Sequence, residues 1–423
     1  MSSRFGKLSR RAFLGGVAAS SALPLIMPTR AVAQDAAFSW ANWNDSPAVA
    51  QLYFDIMDKY EAETGVRIDR QANVEFADYN TRFRVLLASG NPPDIMRLND
   101  DFLREMSDKK QLTDLTSLME ASDFNPSEYF EDVWHFTRMP NGHNGVVVGA
   151  NPRVVYYNKT AFEEAGIPLP PSTWTMDGWT WDDFLEASKA LTRGTERYGC
   201  LLTLDTGNEQ SFAVNNGGTG VFSQDGREFT LAVGPNVEAI QWIADLALVH
   251  KVHPEWAAVQ GTNVQFNMFA AQQVCMIAAT MGGIRQFTNT VKDFEWGIAP
   301  YPGKVDQRQE SSMILFVVPE KADNKEAAWN FLRYLSGESG GSVFAESAAF
   351  IPVNRAAAAK VDPTRALCAE AAAHHTSVNS TTATSEAVAL YRPQLELVWS
   401  GQRSASDALG SVKAQIDSLL RQG

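Results

Sequence analysis

The sequence predicts an α/β protein with two lobes. Strand-like apolar segments alternate with amphipathic helices along the chain, which is the order that builds parallel sheets. Of the 423 residues, 390 remain once a basic leader is removed, and a chain of that length exceeds the size at which one core keeps growing. The three cysteines are an odd and sparse set, so we expect apolar cores rather than disulfides to hold the fold.

Residues 1–33 predict an export signal. They contain no acidic residue, an apolar segment from Ala12 to Met27 that is too short to span a membrane, and small residues at 31–33 that suit a signal peptidase. The pair Arg10–Arg11 resembles the twin-arginine signal, whose pathway moves folded proteins across the bacterial inner membrane. We expect cleavage after Ala33 and a periplasmic mature protein. The alternative, a disordered basic tail, would rarely run straight into an apolar segment and a cleavage signature.

The mature chain is acidic. The leader holds five of the 36 Lys and Arg residues, and the remainder faces 49 Asp and Glu, so the mature net charge is about −18. Such a surface repels nucleic-acid phosphates and anionic lipid, and no later run of 18 apolar residues could cross a bilayer. We therefore expect a protein that binds no nucleic acid and is not integral to the membrane.

The first mature segments predict two strand–helix units in succession. "FSWANW" (38–43) is strand-like, and Asp45 or Ser46 can cap a helix that has Pro47 in its first turn. Apolar residues at three- and four-residue steps carry this helix to Gly65. A strand at 66–71, a helix at 78–90 and a strand at 92–98 follow, so we expect a mostly parallel sheet.

The second region repeats this order with more tryptophan. A Trp-rich loop leads into a helix that is capped by Thr180 and faced by Trp181, Phe184, Leu185, Ser188 and Leu191. A further helix follows Gly234–Pro235. Strands are predicted at 274–280 and 311–320, and a helix at 325–337.

Motifs for catalysis are weak. The chain has no nucleophile elbow, no P-loop and no dinucleotide-binding glycine pattern after a strand. "HKVH" (250–253) is the only histidine pair with the spacing for one helical face, and because it lacks partners beyond Glu255 we favour a solvated helix end over a metal site. We expect neither a metal nor another cofactor. Among 49 carboxylates, the sequence alone does not select a catalytic pair.

The segment "RVVYYNKTAFEEAGIPLPPSTWTMDGWTWDDFLEASKALT" (153–192) resembles part of the extracellular solute-binding proteins that are similar to maltose-binding protein, the sugar receptors of ABC importers. Other segments fit the same template, so the resemblance covers essentially the whole mature chain: "SGNPPDIMRLND" (89–100), "FAAQQVCMIAATMGG" (269–283), "WGIAPYPG" (296–303), "NKEAAWNFLRYLSG" (324–337), "FIPVNRAA" (350–357) and "WSGQRSASDAL" (399–409).

This resemblance implies a periplasmic binding protein fold, in which two α/β lobes are joined by three crossings and close on a ligand between them. With the crossings near 147–151, 309–312 and 351–354, the amino-terminal lobe comprises 36–148 and 312–351, and the carboxy-terminal lobe comprises 149–311 and 352–423. Closure follows because ligand contacts to both lobes exist only in the shut cleft.

Matching the family motifs, together with the rule that ligands sit beyond the carboxyl ends of parallel strands, selects candidate ligand-binding residues. Each has an alternative interpretation as an ordinary surface-loop side chain. The candidates are Trp43, Asn44, Asp45, Arg97, Asn99, Asp100, Asn151, Asn208, Glu209, Gln210, Gly283 and Arg285.

Two departures from the family pattern bear on the ligand. Gln272 stands where the family often has glycine, and Ile284 stands where it often has an aromatic residue, so a stacking platform is missing or relocated. Arg97 and Arg285 suggest the hypothesis that the ligand carries a negative group. Alternatively, these arginines donate to neutral sugar hydroxyls or pair with a carboxylate such as Asp100.

The resemblance implies a non-enzymatic, monomeric carbohydrate receptor that delivers its ligand to an inner-membrane ABC permease. Other small ligands, such as polyols or glycerol phosphodiesters, are compatible with the same fold. The alternative from another functional class is a secreted carbohydrate-active hydrolase that uses paired carboxylates.

Overall fold

The computed structural model describes residues 37–44, 47–71, 74–99, 102–202, 204–261, 264–347, 349–362, 365–379 and 381–422. The predicted export signal lies outside these residues. Among the helices that are described, none combines the length and apolarity needed to cross a bilayer.

The chain order begins with an α/β region whose elements are β1 (Phe38–Ala41), β2 (Trp43–Asn44), α1 (Pro47–Thr64), β3 (Ile68–Arg70), β4 (Val74–Glu75), α2 (Phe76–Ser89), β5 (Ile95–Leu98), α3 (Leu103–Asp108), α4 (Thr116–Glu120), α5 (Glu131–His135), β6 (Arg138–Met139) and β7 (Gly142–His143). A second region comprises β8 (Val146–Asn158), α6 (Lys159–Ala165), α7 (Trp181–Leu191), β9 (Tyr198–Leu202), α8 (Thr206–Asn215), α9 (Gly234–Leu248), α10 (Val264–Ala270), β10 (Val274–Thr280), α11 (Gly282–Thr290), β11 (Trp296–Ala299) and β12 (Gln309–Val317). The remainder comprises α12 (Lys325–Ser336), α13 (Glu338–Ser347), β13 (Ile351–Pro352), α14 (Arg355–Ala358), α15 (Ala366–Glu370), β14 (His375–Thr376), α16 (Thr384–Trp399) and α17 (Ala405–Gln422).

One long strand joins the two lobes. Residues 146–152 of β8 pair with β12 and β13, whereas residues 153–158 pair with β10 and β11. The sheet order β3–β1–β5–β12–β8–β10–β9 therefore runs from the first lobe, built on β1, β3 and β5, to the second lobe, built on β9, β10 and β11. The change of strand partners along β8 supports the residue bounds predicted above for the two lobes. Those bounds stay a prediction.

The sheet is mixed rather than mostly parallel. β1 pairs in parallel with β3 and β5, and β10 pairs in parallel with β9, as the strand–helix alternation predicts. By contrast, β12 is antiparallel to β5 and β8, and β8 is antiparallel to β10 and β11. The prediction was wrong on this point because the strands that carry the chain out of the first lobe and back into it run in opposite directions.

Apolar cores flank both faces of each half of the sheet. In β8, Val146 and Val148 pack into one core of the first lobe and Val147 packs into the other. The second lobe repeats this arrangement, with Val155 and Tyr157 on one face and Val154 and Tyr156 on the other. A strand segment buried on both faces needs apolar residues on both, which β8 has at 146–148 and 154–157. The polar residues Asn151 and Arg153 lie between these two apolar segments, where the strand passes from one lobe to the other. The cysteines at positions 200, 275 and 368 are buried and free.

The predicted helix ends agree with the structure. Helix α1 begins at Pro47, and Gly65, which follows its last residue, takes a φ of 72°, in the left-handed region that favours glycine. Helix α7 begins with a capping box in which the Thr180 backbone N–H donates to Asp183 at 2.8 Å and the Asp183 backbone N–H donates to Thr180 Oγ1 at 3.3 Å.

Candidate ligand-binding cleft

A cavity of about 600 Å³ lies between the two lobes, and we call it the inner compartment. The first lobe contributes an aromatic and polar wall, and the second lobe contributes charged groups and a helix start. Residues on β8 and β12, the strands that connect the lobes, form part of the lining. Those used below are Trp43, Arg97, Asn99, Phe136, Asn151, Arg153, Asp205, Thr206, Gly207, Phe222 and Glu310.

On the first-lobe wall, Arg97 lies against Trp43. The guanidinium carbon of Arg97 is 3.9 Å from the centroid of the Trp43 ring, which is cation–π distance. Behind them, the Tyr79 hydroxyl donates to the carbonyl of Arg97 at 2.7 Å, and the Tyr79 ring packs edge-on against Trp43 at 5.0 Å. Burial raises the pKa of Tyr79, so this hydroxyl stays protonated as a donor. Tyr79 thus holds both Arg97 and Trp43 in place from the side that faces away from the compartment.

On the second-lobe wall, Arg153 binds two carboxylates. Its Nε donates to Glu310 at 2.9 Å and its Nη1 donates to Asp205 at 3.1 Å. Burial alone would lower the pKa of Arg153, but the two carboxylates reverse this effect and raise it, so the guanidinium stays charged. A Cβ at Gly207 would lie 2.4 Å from Glu310 Oε2 and 2.5 Å from Arg153 Nε, so only glycine fits beside this network.

Asp205 also caps helix α8. Its Oδ1 accepts from the backbone N–H of Asn208 at 2.9 Å, while its Oδ2 binds Arg153. One carboxylate therefore fixes both the helix start and the cleft arginine. Thr206 and Gly207, in the first turn of α8, line the inner compartment.

Asn208, Glu209 and Gln210, predicted as ligand-binding residues, lie in α8 and are buried. Asn208 Oδ1 accepts from the Tyr301 hydroxyl, and Glu209 binds Arg392 at 2.6 Å. Burial raises the pKa of Glu209 and Arg392 opposes that rise. The structure thus places Asn208 and Glu209 in contacts within the second lobe, outside the lining of the inner compartment.

Gln210 fixes the wall of an adjoining cavity. Its Nε2 donates to the carbonyl of Ser377 at 2.9 Å and to Thr376 Oγ1 at 3.3 Å, and its Oε1 accepts from the backbone N–H of Val221 at 2.8 Å. This side chain therefore joins the segment after β14 to the loop after α8. The loop has glycine at 220 because φ there is 89° and a Cβ would lie 2.1 Å from the Gln210 amide.

The adjoining cavity has a volume of about 1180 Å³, and we call it the outer compartment. It shares Phe136, Ser377 and Val378 with the inner compartment, so the two form one continuous cleft. Arg104, His135 and Arg138 line it from the first lobe. Polar and acidic residues line it from the second lobe: Gln210, Thr219, Ser223, Gln224, Asp225, Glu228, His375, Thr376 and Asn379.

Asn151 lies where β8 passes between the lobes. Its side-chain oxygen is buried and accepts no hydrogen bond from the part of the chain that the structure describes. Because Asn151 lines the inner compartment, this oxygen can accept a hydrogen bond from a ligand there.

The other predicted candidates are scattered. Asn99 lines the inner compartment, and Asn44 lies in β2, paired with Glu75. Asp45 and Asp100 lie outside the described residues. Gly283 packs in α11, where a Cβ would lie 2.9 Å from the rings of Tyr156 and Phe266. Arg285 is exposed on the same helix, and neither it nor Gly283 lines the inner or the outer compartment.

Sequence reasoning missed several cleft residues. Asp205 follows strand β9 and begins a helix, so the rule that placed the other candidates after strands could have selected it. Phe136 and Phe222 carried no motif. Arg153 and Glu310 meet only through the pairing of β8 with β12, a contact between residues 157 positions apart.

The "HKVH" segment follows the end of α9, and its Lys251 is exposed as expected for a solvated helix end, but its second histidine is not solvated. His253 is buried, with Nδ1 2.6 Å from the carbonyl oxygen of Pro254 and Nε2 3.3 Å from that of Leu202. Burial lowers the pKa of His253, so its ring is neutral near pH 7. Among the residues described, no group of three His, Cys, Asp or Glu side chains is arranged to hold a metal ion.

Two known proteins and one solved structure are similar to this chain. A binding protein of Brucella abortus is 27% identical over 220 residues, 50% of this chain and 51% of that protein, so the chain spans about half the length of this relative. An arabinooligosaccharide-binding protein of Halalkalibacterium halodurans is 31% identical over 105 residues, 25% of this chain and 22% of its own length. The structure of the sugar-binding protein MalE from Xanthomonas citri matches with a TM-score of 0.79 at 20% identity, covering 91% of this chain and 97% of that one.

The MalE match shows the two-lobed periplasmic binding protein fold that the sequence resemblance implied, with helices on both sides of a sheet that is mixed rather than mostly parallel. At 20% identity it shows the fold alone. The family of bacterial extracellular solute-binding proteins matches residues 55–371, about three quarters of the chain. This chain therefore belongs to the bacterial extracellular solute-binding protein family.

Proposed function

We propose that this protein is the receptor of an ABC importer and binds a carbohydrate in the cleft between its lobes. One observation carries the proposal: the inner compartment combines aromatic rings with buried, oriented polar groups, contributed by both lobes and by the strands that join them. Two of the similar proteins, the arabinooligosaccharide-binding protein of Halalkalibacterium halodurans and the sugar-binding protein MalE, bind saccharides, which supports a carbohydrate over other small solutes.

The chemistry of the walls suits a sugar. Trp43 and Phe136 offer aromatic surface for pyranose or furanose rings. Asp205 and Glu310 each have one carboxylate oxygen on Arg153, and carboxylates held in this way still accept hydrogen bonds from hydroxyl groups. The Asn151 oxygen adds a neutral acceptor. Phe136, which lines the inner compartment, is the ring that we assign to the stacking role that Ile284 leaves open.

Ligand recognition then couples to closure. Trp43 and Arg97 belong to the first lobe, whereas Asp205 and Thr206 belong to the second, so a ligand that touches all four joins the lobes. Its full contact energy is available only in the closed arrangement, and binding therefore shifts the population towards closure. The permease would recognise this closed form, and the receptor acts as a monomer without a cofactor.

Export by the twin-arginine route to the periplasm is part of the proposal. It rests on Arg10 and Arg11 and on the cleavage signature at 31–33. Replacing both arginines with lysine should leave the precursor in the cytoplasm, and periplasmic fractionation would measure this. Normal export of the double variant would contradict this route.

Thermal-shift measurements over mono- and oligosaccharides test the carbohydrate proposal. A ligand at 100 times its Kd should add about 2.7 kcal/mol of stability and raise the melting temperature. The same incubations, analysed for products, separate a receptor from a hydrolase, because a receptor leaves the oligosaccharide intact. Progressive cleavage would contradict the proposal, and so would a complete lack of stabilisation across the panel.

A further inference from the structure

The two lobes present different charges to the outer compartment. The first-lobe wall carries Arg104, His135 and Arg138, whereas the second-lobe wall carries Asp225 and Glu228. A charge that is already paired with a neighbour on its own lobe gains less from a ligand than an unpaired charge does, so the partners of each group decide its role.

The second-lobe carboxylates are compensated locally. Glu228 accepts from Arg421 at 3.2 Å. Asp225 accepts from the Ser223 hydroxyl at 2.6 Å and from the backbone N–H of Arg227 at 3.1 Å. These hydrogen bonds and the Arg227 charge lower the pKa of Asp225, so the protein already stabilises its anionic form.

On the first-lobe wall, Arg138 is different. Arg104 is paired with Asp108 at 2.8 Å, but the guanidinium of Arg138 forms no ion pair with any residue that the structure describes. Arg138 is exposed in β6, the first strand of the β6–β7 hairpin. Its charge also acts on a neighbour, since burial and then Arg138 lower the pKa of His143.

We propose that the outer compartment recognises an acidic sugar unit, such as a uronate, through Arg138. This inference rests on the proposed carbohydrate function and names the ligand class within it: an oligosaccharide with an anionic group on the unit beside Phe136. Of the two arginines that line the outer compartment, Arg104 is paired with Asp108, and Arg138 has no ion pair with a described residue. A guanidinium binds a carboxylate through two parallel hydrogen bonds, so Arg138 suits an acidic unit of a ligand there.

The rest of the outer compartment suits such a unit. Ser377 and Asn379 offer polar groups for hydroxyls, and Phe136, which lines both compartments, offers a ring at the junction. The inner compartment, where Arg153 is already bound to two carboxylates, then takes a neutral unit of the same chain. The ligand would therefore be neutral at its inner end and acidic at its outer end.

Matched pairs of probes test the inference. Oligogalacturonates, oligoglucuronates and oligomannuronates of two to four units are each compared by calorimetry with their methyl esters and with the corresponding neutral oligosaccharides. We expect one acidic oligosaccharide to bind at least about 10-fold more tightly than its ester, as for one charge-assisted hydrogen-bonded pair. Raising the salt concentration should weaken the acidic ligand more than the ester.

Variants then locate the effect. R138Q should remove about 10-fold or more of the affinity for the acid and leave affinity for the ester unchanged, whereas R138K should retain part of the preference. R67Q is the matched control, because Arg67 is exposed and lines neither compartment. Melting temperatures without ligand verify that all three variants fold.

The outcomes are distinct. Binding of an ester or a neutral oligosaccharide as tightly as the acid would overturn the inference and leave the receptor function in place. If R138Q lowered the affinity for acidic and neutral ligands equally, Arg138 would act in lobe closure, by pairing with Asp225 or Glu228 on the opposite wall. That result would also overturn the inference. A lack of binding to every saccharide would overturn the proposed function, and the inference with it.

Discussion

Arg153 and Arg138 line one continuous cleft, but only the charge of Arg153 is neutralised by neighbouring carboxylates that the structure describes. Arg153 lies on β8, where that strand changes partners, and is buried between two carboxylates. Arg138 lies on a two-residue strand and is exposed, with no carboxylate partner in the described part of the chain. The inner compartment is therefore lined by a charge that the fold already neutralises, whereas the outer compartment is lined by an exposed charge, which is the one that we propose for ligand recognition.

Removing the charge of Arg153 should have the largest effect on stability and so tests the difference between the two arginines most strongly. R153M should lower the free energy of unfolding by about 3 to 5 kcal/mol, because it leaves Asp205 and Glu310 without their cation in a partly buried site. R138Q should change it by less than about 0.5 kcal/mol, since Arg138 is exposed. Urea unfolding at pH 7 measures both, and equal effects would contradict the distinction.

A smaller effect on stability is expected at the wall of the outer compartment that Gln210 holds. Q210A should cost about 2 kcal/mol, because the backbone N–H of Val221 and the carbonyl of Ser377 lose their partner. The same variant should weaken ligands that reach the outer compartment more than ligands confined to the inner one. A stability within 0.5 kcal/mol of the parent protein would show that Gln210 does not hold this wall.

The outer compartment also contains a buried, titratable group whose effect should appear in acid. Burial, and then the Arg308 charge, lower the pKa of His375 to about 3. Below pH 6.5 the unfolded chain binds a proton that the folded chain does not, so this residue lowers stability as the pH falls towards 3. Between pH 7 and pH 5.5 the loss from this residue should be about 1.2 kcal/mol.

The variant H375Q isolates this contribution from those of the other histidines. Its free energy of unfolding should fall less steeply than that of the parent protein over the same pH range, and urea titrations at pH 7, 6 and 5.5 measure the difference. Parallel pH profiles would show that His375 titrates normally in the folded protein.

The sequence predicted the local structure of this fold well. Helix α1 between Pro47 and Gly65 and the capping box at Thr180 depend on residues close together in the chain, and both are present. The mixed sheet was missed because strand direction across the lobes depends on the path of β8 and β12, which strand–helix alternation does not encode.

The cleft was predicted less completely. Trp43, Arg97, Asn99 and Asn151 do line the inner compartment, since they follow or lie on strands that converge there. Gln210 was predicted to bind ligand, but its amide groups are engaged by the protein, which depends on the packing of distant loops. The contact between Arg153 and Glu310 could not be predicted without knowing that β8 pairs with β12. Whether the predicted residues bind a ligand stays a prediction.

Small-angle X-ray scattering with a saccharide that stabilises the protein tests the central claim most directly. Closure of two lobes around a guest predicts a smaller radius of gyration with ligand than without it, at ligand concentrations that saturate the thermal shift. An unchanged scattering profile at saturation would contradict the account, because binding would then not bring the lobes together.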